Sequence, residues 1–182
     1  MISFQKCTTT EELTQILTLQ QANLPIAITK EEEQKEGFLT VDHDLTLLTK
    51  MNEVCPHIIA KKDRQVVGYA LSMHPQFGDE IPVLLSMFEQ MEKVSNDLKD
   101  ASFLKNYLVM GQVCIDKAHR KQGIFRGLYQ KMLNEYIPTF SCIVTEVNLR
   151  NTRSLEAHYA VGFELLYEHS SGGQDWALIY LK

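Results

Sequence analysis

Cysteine is scarce in this chain, basic charge is not in excess, and no long apolar run occurs. Its four cysteines, Cys7, Cys55, Cys114 and Cys142, lie far apart, with no C-x-x-C pair and no histidine at metal-ligand spacing. That pattern argues against both a disulfide framework and a zinc centre. Lys and Arg number 18 against 23 Asp and Glu, a net charge of -5, so the broad cationic field that attracts nucleic-acid phosphates is missing. Apolar runs extend only a few residues, and the first ten residues have neither a basic start nor an apolar signal core. Neither a membrane span nor a secretory leader is expected, and the expected location is the cytoplasm. Repeats, low-complexity tracts and Pro/Gly/Ser-rich linkers are also missing, so 182 residues with 45% hydrophobic content read as one domain over 1–182 around one substantial core.

Hydrophobic spacing supplies the elements. A capping-box pattern, Thr8-x-x-Glu11, precedes Leu13, Ile16, Leu17 and Gln20 and predicts an amphipathic helix. The acidic run Glu31, Glu32, Glu33 and Glu36 reads as a solvated helix face rather than a metal site, and 42–53 as a helix with Leu45, Leu48 and Met51 inward. Segments 57–61 and 66–71, joined by a polar turn, predict a hairpin. Between 75 and 106 the pattern becomes helical, with Val83, Leu84, Met87, Phe88 and Met91 at helix spacing, as expected of an inserted helix and loop. Strands at 107–115, 141–147, 163–167 and 176–181 alternate with helices at 123–136 and 151–161, which is α/β architecture.

Chemistry concentrates where the strand at 107–115 runs through a turn into the next helix. From Asp116 to Arg126 this turn carries Lys117, Arg120, Lys121 and Arg126 against Asp116 alone, about +3 on an acidic chain. Free N–H groups and the dipole at a helix start favour an anion, and Gly123 lets backbone approach it closely. The Gly-Lys-Ser/Thr ending of a Walker loop and the three glycines of a dinucleotide fingerprint are both lacking.

The segment does match R-x-x-G-x-[G/A], as Arg120-Lys121-Gln122-Gly123-Ile124-Phe125, with Phe125 departing at the last position. A second match follows, N-x-x-[S/A] and then G-F, as Asn151, Ser154 and Gly162-Phe163. With both signatures in strand-to-helix settings, the chain resembles the GNAT superfamily of acyl-CoA-dependent N-acyltransferases, well over 57–182 and by general layout before that. The resemblance implies a mixed, strongly bent central sheet flanked by helices and splayed in the middle, with acetyl-CoA as co-substrate. Carried over by position, Val113, Cys114 and Ile115 would offer backbone groups to the pantetheine amides. Lys121, Gln122, Gly123, Ile124, Phe125 and Arg126 would surround the pyrophosphate, Arg120 would fix the turn, and Asn151 and Ser154 would approach from the next helix. For Cys114 itself a small buried apolar role is expected, not a nucleophile.

The implied reaction is acetyl transfer to a primary amine of a small molecule, amino acid or protein by direct attack. Its base would be Glu146 or, less directly, a water held by Gln112, and its oxyanion would meet a backbone N–H around Val113 to Cys114. The family's usual tyrosine acid falls on His158, with Tyr159 one position later. Helix spacing puts 151, 154 and 158 on one stripe, which favours His158. The alternative is a CoA-binding sensor or partner-binding domain without turnover. The 75–106 insertion could form an acceptor-site wall, a lid or the surface of a homodimer, with core packing as its default role.

Overall fold

The computed structural model describes residues 1–32, 37–97 and 101–182. Seven strands form one open sheet in the order β1-β2-β3-β4-β5-β7-β6. They are β1 (Ile2–Lys6), β2 (Ile58–Lys62), β3 (Gln65–Met73), β4 (Tyr107–Ile115), β5 (Cys142–Asn148), β6 (Glu164–Ser171) and β7 (Gln174–Leu181). Every neighbouring pair is antiparallel except β4 and β5, which makes the sheet mixed, as expected. The edge strand β1 had no counterpart in the sequence reading, because five residues with only a weak alternation give little periodic signal. β6 extends four residues past its expected end at 167.

Among the helices of the described residues that flank the sheet are α1 (Thr10–Gln21), α2 (Leu45–Val54), α3 (Leu85–Asp97), α4 (Ile124–Tyr136) and α5 (Thr152–Ala160). The capping box of α1 sits one residue later than expected. Thr9 Oγ1 accepts from the Glu12 N–H at 3.2 Å and Glu12 Oε2 accepts from the Thr9 N–H at 3.3 Å, while Lys61 on β2 holds the Glu12 carboxylate at 2.7 Å. In α2, Leu48 and Met51 are buried as expected, but Leu45 is exposed because it starts the helix beside its Asp44 cap. Glu33 and Glu36 of the acidic run lie outside the described residues, and Glu32 pairs with Lys117 at 2.6 Å.

One face of the sheet packs against α4, whose Ile124, Leu128, Tyr129 and Met132 are fully buried against Ile58, Ala70, Leu108 and Ile143. The opposite face carries two cores side by side. Leu13, Ile16 and Leu48 of α1 and α2 cover Ile59, Tyr69 and Leu71. The 75–106 segment covers Met73, Val109, Val144 and Leu178 with Phe77, Ile81, Leu84, Met87 and Met91. Core packing is thus one role of the insertion. Val83, expected on its inward stripe, is exposed because it lies in a 3-10 turn before α3.

The expected splay is present. β4 and β5 pair only over Tyr107–Val109 and Cys142–Val144, although both strands continue beyond. Thr145 Oγ1 donates to the Met110 carbonyl at 2.8 Å just where the ladder ends. A bulge lies beside it: Ala70 pairs with Val113 and Ser72 with Met110, so β4 holds one more residue than β3 between these pairs. The extra residue falls at Gly111–Gln112, just before the expected Val113 to Cys114.

Candidate active site

The turn after β4 is built around the start of α4. Asp116 Oδ1 accepts from the Ala118 N–H at 2.9 Å and meets His119 Nδ1 at 2.8 Å, closing the turn. Arg120 Nε donates to the Ile115 carbonyl at 3.2 Å and its Nη2 to Asn23 Oδ1 at 2.9 Å, so Arg120 fixes the turn and also ties it to the segment after α1. Lys121 and Gly123 both have positive φ, 61° and 76°. Gly123 caps α4 without any side-chain hydrogen bond, and a Cβ on it would meet nothing within 4 Å. The first turn of α4 therefore has no side-chain cap and open space beside Gly123, an arrangement suited to an anion.

That open end belongs to a pocket of about 260 Å³. Val113, Cys114 and Ile115 form one wall, and Arg120, Lys121, Gly123, Ile124 and Phe125 the next. Asn151 and Ser154 close it from α5. Gln122 and Arg126 lie off this wall, contrary to expectation. The Gln122 amide turns back to the Ala118 carbonyl at 3.3 Å, and Arg126 Nη2 donates to the Ala160 carbonyl at the end of α5 at 2.9 Å. Cys114 is buried, and burial pushes its thiol up to about 12. It stays protonated, as a structural cysteine does.

Sequence reasoning missed the fourth wall, made by Asn23, Gly37, Phe38 and Leu39. Asn151 Nδ2 donates to the Phe38 carbonyl at 3.2 Å, and Gly37, at φ 78°, passes so close that a Cβ would stand 2.7 Å from Asn151 Oδ1. The only signal for this wall was an isolated glycine after the acidic run. Segment 37–41 continues beyond the pocket, where Gln112 Nε2 donates to the Val41 carbonyl at 2.7 Å and Gln112 Oε1 accepts from the Tyr69 hydroxyl at 2.6 Å. Both ends of the Gln112 amide thus hold the fold together, and the expected role as holder of a water is not supported.

Of the α5 stripe, Asn151 and Ser154 reach the pocket and His158 does not. His158 is 1% exposed and stands among Phe125, Tyr129 and Phe163, with ring centroids 5.0 to 5.4 Å away. Its Nδ1 lies 2.7 Å from the Ser154 carbonyl, which can only accept, so Nδ1 carries the proton and Nε2 accepts from the Tyr129 hydroxyl at 2.6 Å. Burial holds its pKa down at about 4, so the ring is neutral near pH 7. The stripe argument failed because packing drew the ring under Phe125. Tyr159 is 40% exposed and lines none of the pockets described.

Glu146 lies on the other side of the splay. Its side chain is 3% exposed, and Oε1 meets Nε2 of His169 on β6, whose side chain is 5% exposed. Burial raises the Glu146 pKa, and the hydrogen bond from His169 opposes that rise. His169 Nδ1 is buried with no hydrogen-bond partner among the described residues. His169 was missed because the expected strand stopped at 167. Glu146 opens into a second, small pocket of about 30 Å³, bounded by Thr40 and Val41, by Val83, Leu84 and Met87, by Val109, Met110 and Gly111 of β4, and by Thr145 and Trp176. The five consecutive residues 37–41 thus line both pockets. The β4 bulge also stands at their junction, with Gly111 on one pocket and Val113 on the other. Among the described residues, no cluster of side chains could hold a metal ion and no helix is long and apolar enough to cross a membrane.

No curated protein sequence is significantly similar to the chain. Many solved structures share its fold, among them three at low identity. Salmonella typhimurium yncA, in a structure with its cofactor acetyl-CoA, is 14% identical, with 100% of this chain and 93% of that one covered and a TM-score of 0.61. The ribosomal-protein-S18-alanine N-acetyltransferase of Escherichia coli is 13% identical, with 100% and 93% covered and a TM-score of 0.56. An N-acetyltransferase of Staphylococcus aureus Mu50 is 15% identical, with 100% and 98% covered and a TM-score of 0.64. The model of the acetyltransferase (GNAT) family matches residues 13–163. That match spans the α4 turn, the β4–β5 splay and α5, and the chain therefore belongs to the GNAT family as an acyl-CoA-dependent acetyltransferase with acetyl-CoA as co-substrate.

Proposed function

We propose that the protein transfers acetyl from acetyl-CoA to a primary amine by direct attack across the β4 bulge. The observation that carries this reading is one cleft floor with two different ends: an uncapped helix start at Gly123 and a buried carboxylate at Glu146, joined by Gly111–Val113. Acetyl-CoA supplies the thioester. The α4 N–H groups beside Lys121 and Gly123 take the pyrophosphate, Val113 to Ile115 offer backbone to the pantetheine, and Asn151 and Ser154 hold its other side. Backbone N–H freed by the bulge faces the developing oxyanion. Glu146 takes one proton from the incoming ammonium, for a lysine-like amine with pKa ~10.4 arrives charged at neutral pH. The C–N bond forms, the nitrogen gives its second proton to solvent, and the C–S bond breaks. Solvent protonates the CoA thiolate, since neither His158 nor Tyr159 faces the cleft, and Glu146 releases its proton to solvent to complete the cycle.

The cytoplasm is the location this reading assigns, in keeping with four free cysteines that are all buried. The experiment is a thiol-release assay with acetyl-CoA and a panel of amines, run beside thermal melts. Acetyl-CoA at about 100 times its dissociation constant should stabilise the fold by roughly 2.7 kcal/mol, and ATP much less. Equal stabilisation by ATP, or binding of acetyl-CoA without amine-dependent thiol release, would overturn the reading.

A further inference from the structure

The second pocket also bears on which amine is accepted, an inference that rests on the transfer reading above. Glu146 is the one charged side chain on its wall, and Val41, Val83, Leu84, Met87, Met110 and Trp176 make most of the rest. No lysine or arginine lines it among the described residues. Its volume of about 30 Å³ receives an ammonium and brings the small groups on the adjoining carbon against the same walls. Val83, 41% exposed, marks the outer end, while Met87 at 0% and Trp176 at 7% form the inner wall.

We infer that the acceptor is a primary amine carried on an apolar skeleton without a carboxylate beside the nitrogen, its ammonium received by Glu146 and its carbon chain lying along Val83, Leu84 and Trp176. An ammonium entering this pocket exchanges its hydration for an anionic partner, while the adjoining carbons meet apolar wall. The carboxylate of an α-amino acid, one carbon from the nitrogen, has to follow it in. There it would meet the Glu146 carboxylate and apolar side chains, with no cation to offset either effect. His169 is not that partner, because it does not line the pocket and its Nε2 is turned to Glu146 from behind. It is a positioning residue that holds the carboxylate toward the pocket.

The test uses three acceptors on one skeleton, 2-phenylethylamine, phenylalaninamide and phenylalanine, with acetyl-CoA and the full chain. The expected result is a kcat/KM for phenylalanine about 100-fold or more below that of 2-phenylethylamine, with the neutral amide near the amine. A Val83→Lys variant, changed at the exposed rim, should narrow that gap about tenfold by supplying the missing cation. Phenylalanine turned over as well as 2-phenylethylamine would overturn the acceptor class alone, and an amide as poor as the acid would do the same by making size the cause. No thiol release with any of the three, on protein that acetyl-CoA still stabilises, would overturn the transfer reading and the inference with it.

Discussion

At the α4 start the cleft presents backbone, whereas beneath α3 it presents side chains. The first half needs two residues at positive φ, Lys121 and Gly123, and an uncapped helix. On the proposed reading its walls would use Val113 to Ile115 chiefly as main chain. The second half needs a carboxylate and an imidazole from β5 and β6, two strands separated by β7 in the sheet, brought together under the insertion. Backbone recognition of an anion tolerates many side chains, while reception of one ammonium depends on one carboxyl group. A change in the first half should therefore alter cofactor affinity, and one in the second half turnover.

The sharpest way to break this comparison is Gly123→Glu. The carboxylate would stand in the open space beside the uncapped start of α4, and a side chain at φ 76° adds strain of about 1 to 2 kcal/mol. Acetyl-CoA affinity should fall about 10³-fold, which is about 4 kcal/mol, while unfolding stays cooperative. Calorimetric titration checks it. Wild-type affinity in the folded variant would put the pyrophosphate elsewhere.

Next in size is Glu146→Gln, the same shape without the base. Here kcat should drop by about 10² or more, some 3 kcal/mol of barrier, with acetyl-CoA stabilisation unchanged. Because burial raises the Glu146 pKa, the acid limb of kcat/KM should lie above the ordinary glutamate value of ~4.3 and vanish in the variant. A kcat within a few-fold of wild type would assign the base to another group.

The asymmetry between the halves also decides what could be read in the sequence. Arg120 to Gly123 is contiguous and includes a glycine where φ is positive, so the turn before α4 could be singled out as an anion cradle before any fold. Residues 37–41 carry no periodicity, and their place over Asn151 and Gln112 is fixed by hydrogen bonds to residues over seventy positions away. His169 stands 23 residues from Glu146, and only the order β5-β7-β6 puts them on one face. The His158 stripe was read correctly as a helix face, but which part of that face meets the ligand depended on the bulk of Phe125 and Phe163.

A smaller effect sharpens the wall behind the cofactor half. Burial lowers the His158 pKa from an ordinary 6.5 to about 4. The unfolded chain then binds a proton over that window that the folded one refuses, so stability is full above about pH 6.5 and falls as pH drops toward 4. One such ring contributes up to about 3 kcal/mol of this loss. His43 and His57, also held at about 4 by burial, add to it. The double variant His158→Leu with Tyr129→Phe removes both hydrogen-bonding partners at once. Urea unfolding between pH 4.5 and 7.5 should show a slope shallower by up to one proton. An unchanged slope would mean that the ring titrates as an exposed histidine and lies nearer the cleft than its packing allows.

The smallest expected effect is that of Tyr159→Phe, and its smallness is the point. The leaving thiol has a pKa near ~8.5 and a phenol one near ~10, so a tyrosine would give up its proton uphill by about 2 kcal/mol. Tyr159 would have to offset that by close contact with the sulfur, yet its ring is 40% exposed and lies off the pocket wall. The neighbouring His158 offers no substitute, because its one N–H is bound to the Ser154 carbonyl and its other nitrogen is occupied by the Tyr129 hydroxyl. To release a proton through Ser154, that chain would end in a phenolate on fully buried Tyr129, whose pKa burial raises well above 10. Tyr159→Phe should therefore keep kcat within about twofold of wild type, measured by thiol release at saturating amine. A loss of tenfold or more would require α5 to turn in the ternary complex and bring Tyr159 to the cleft, giving the cofactor half a side-chain dependence like that of the acceptor half.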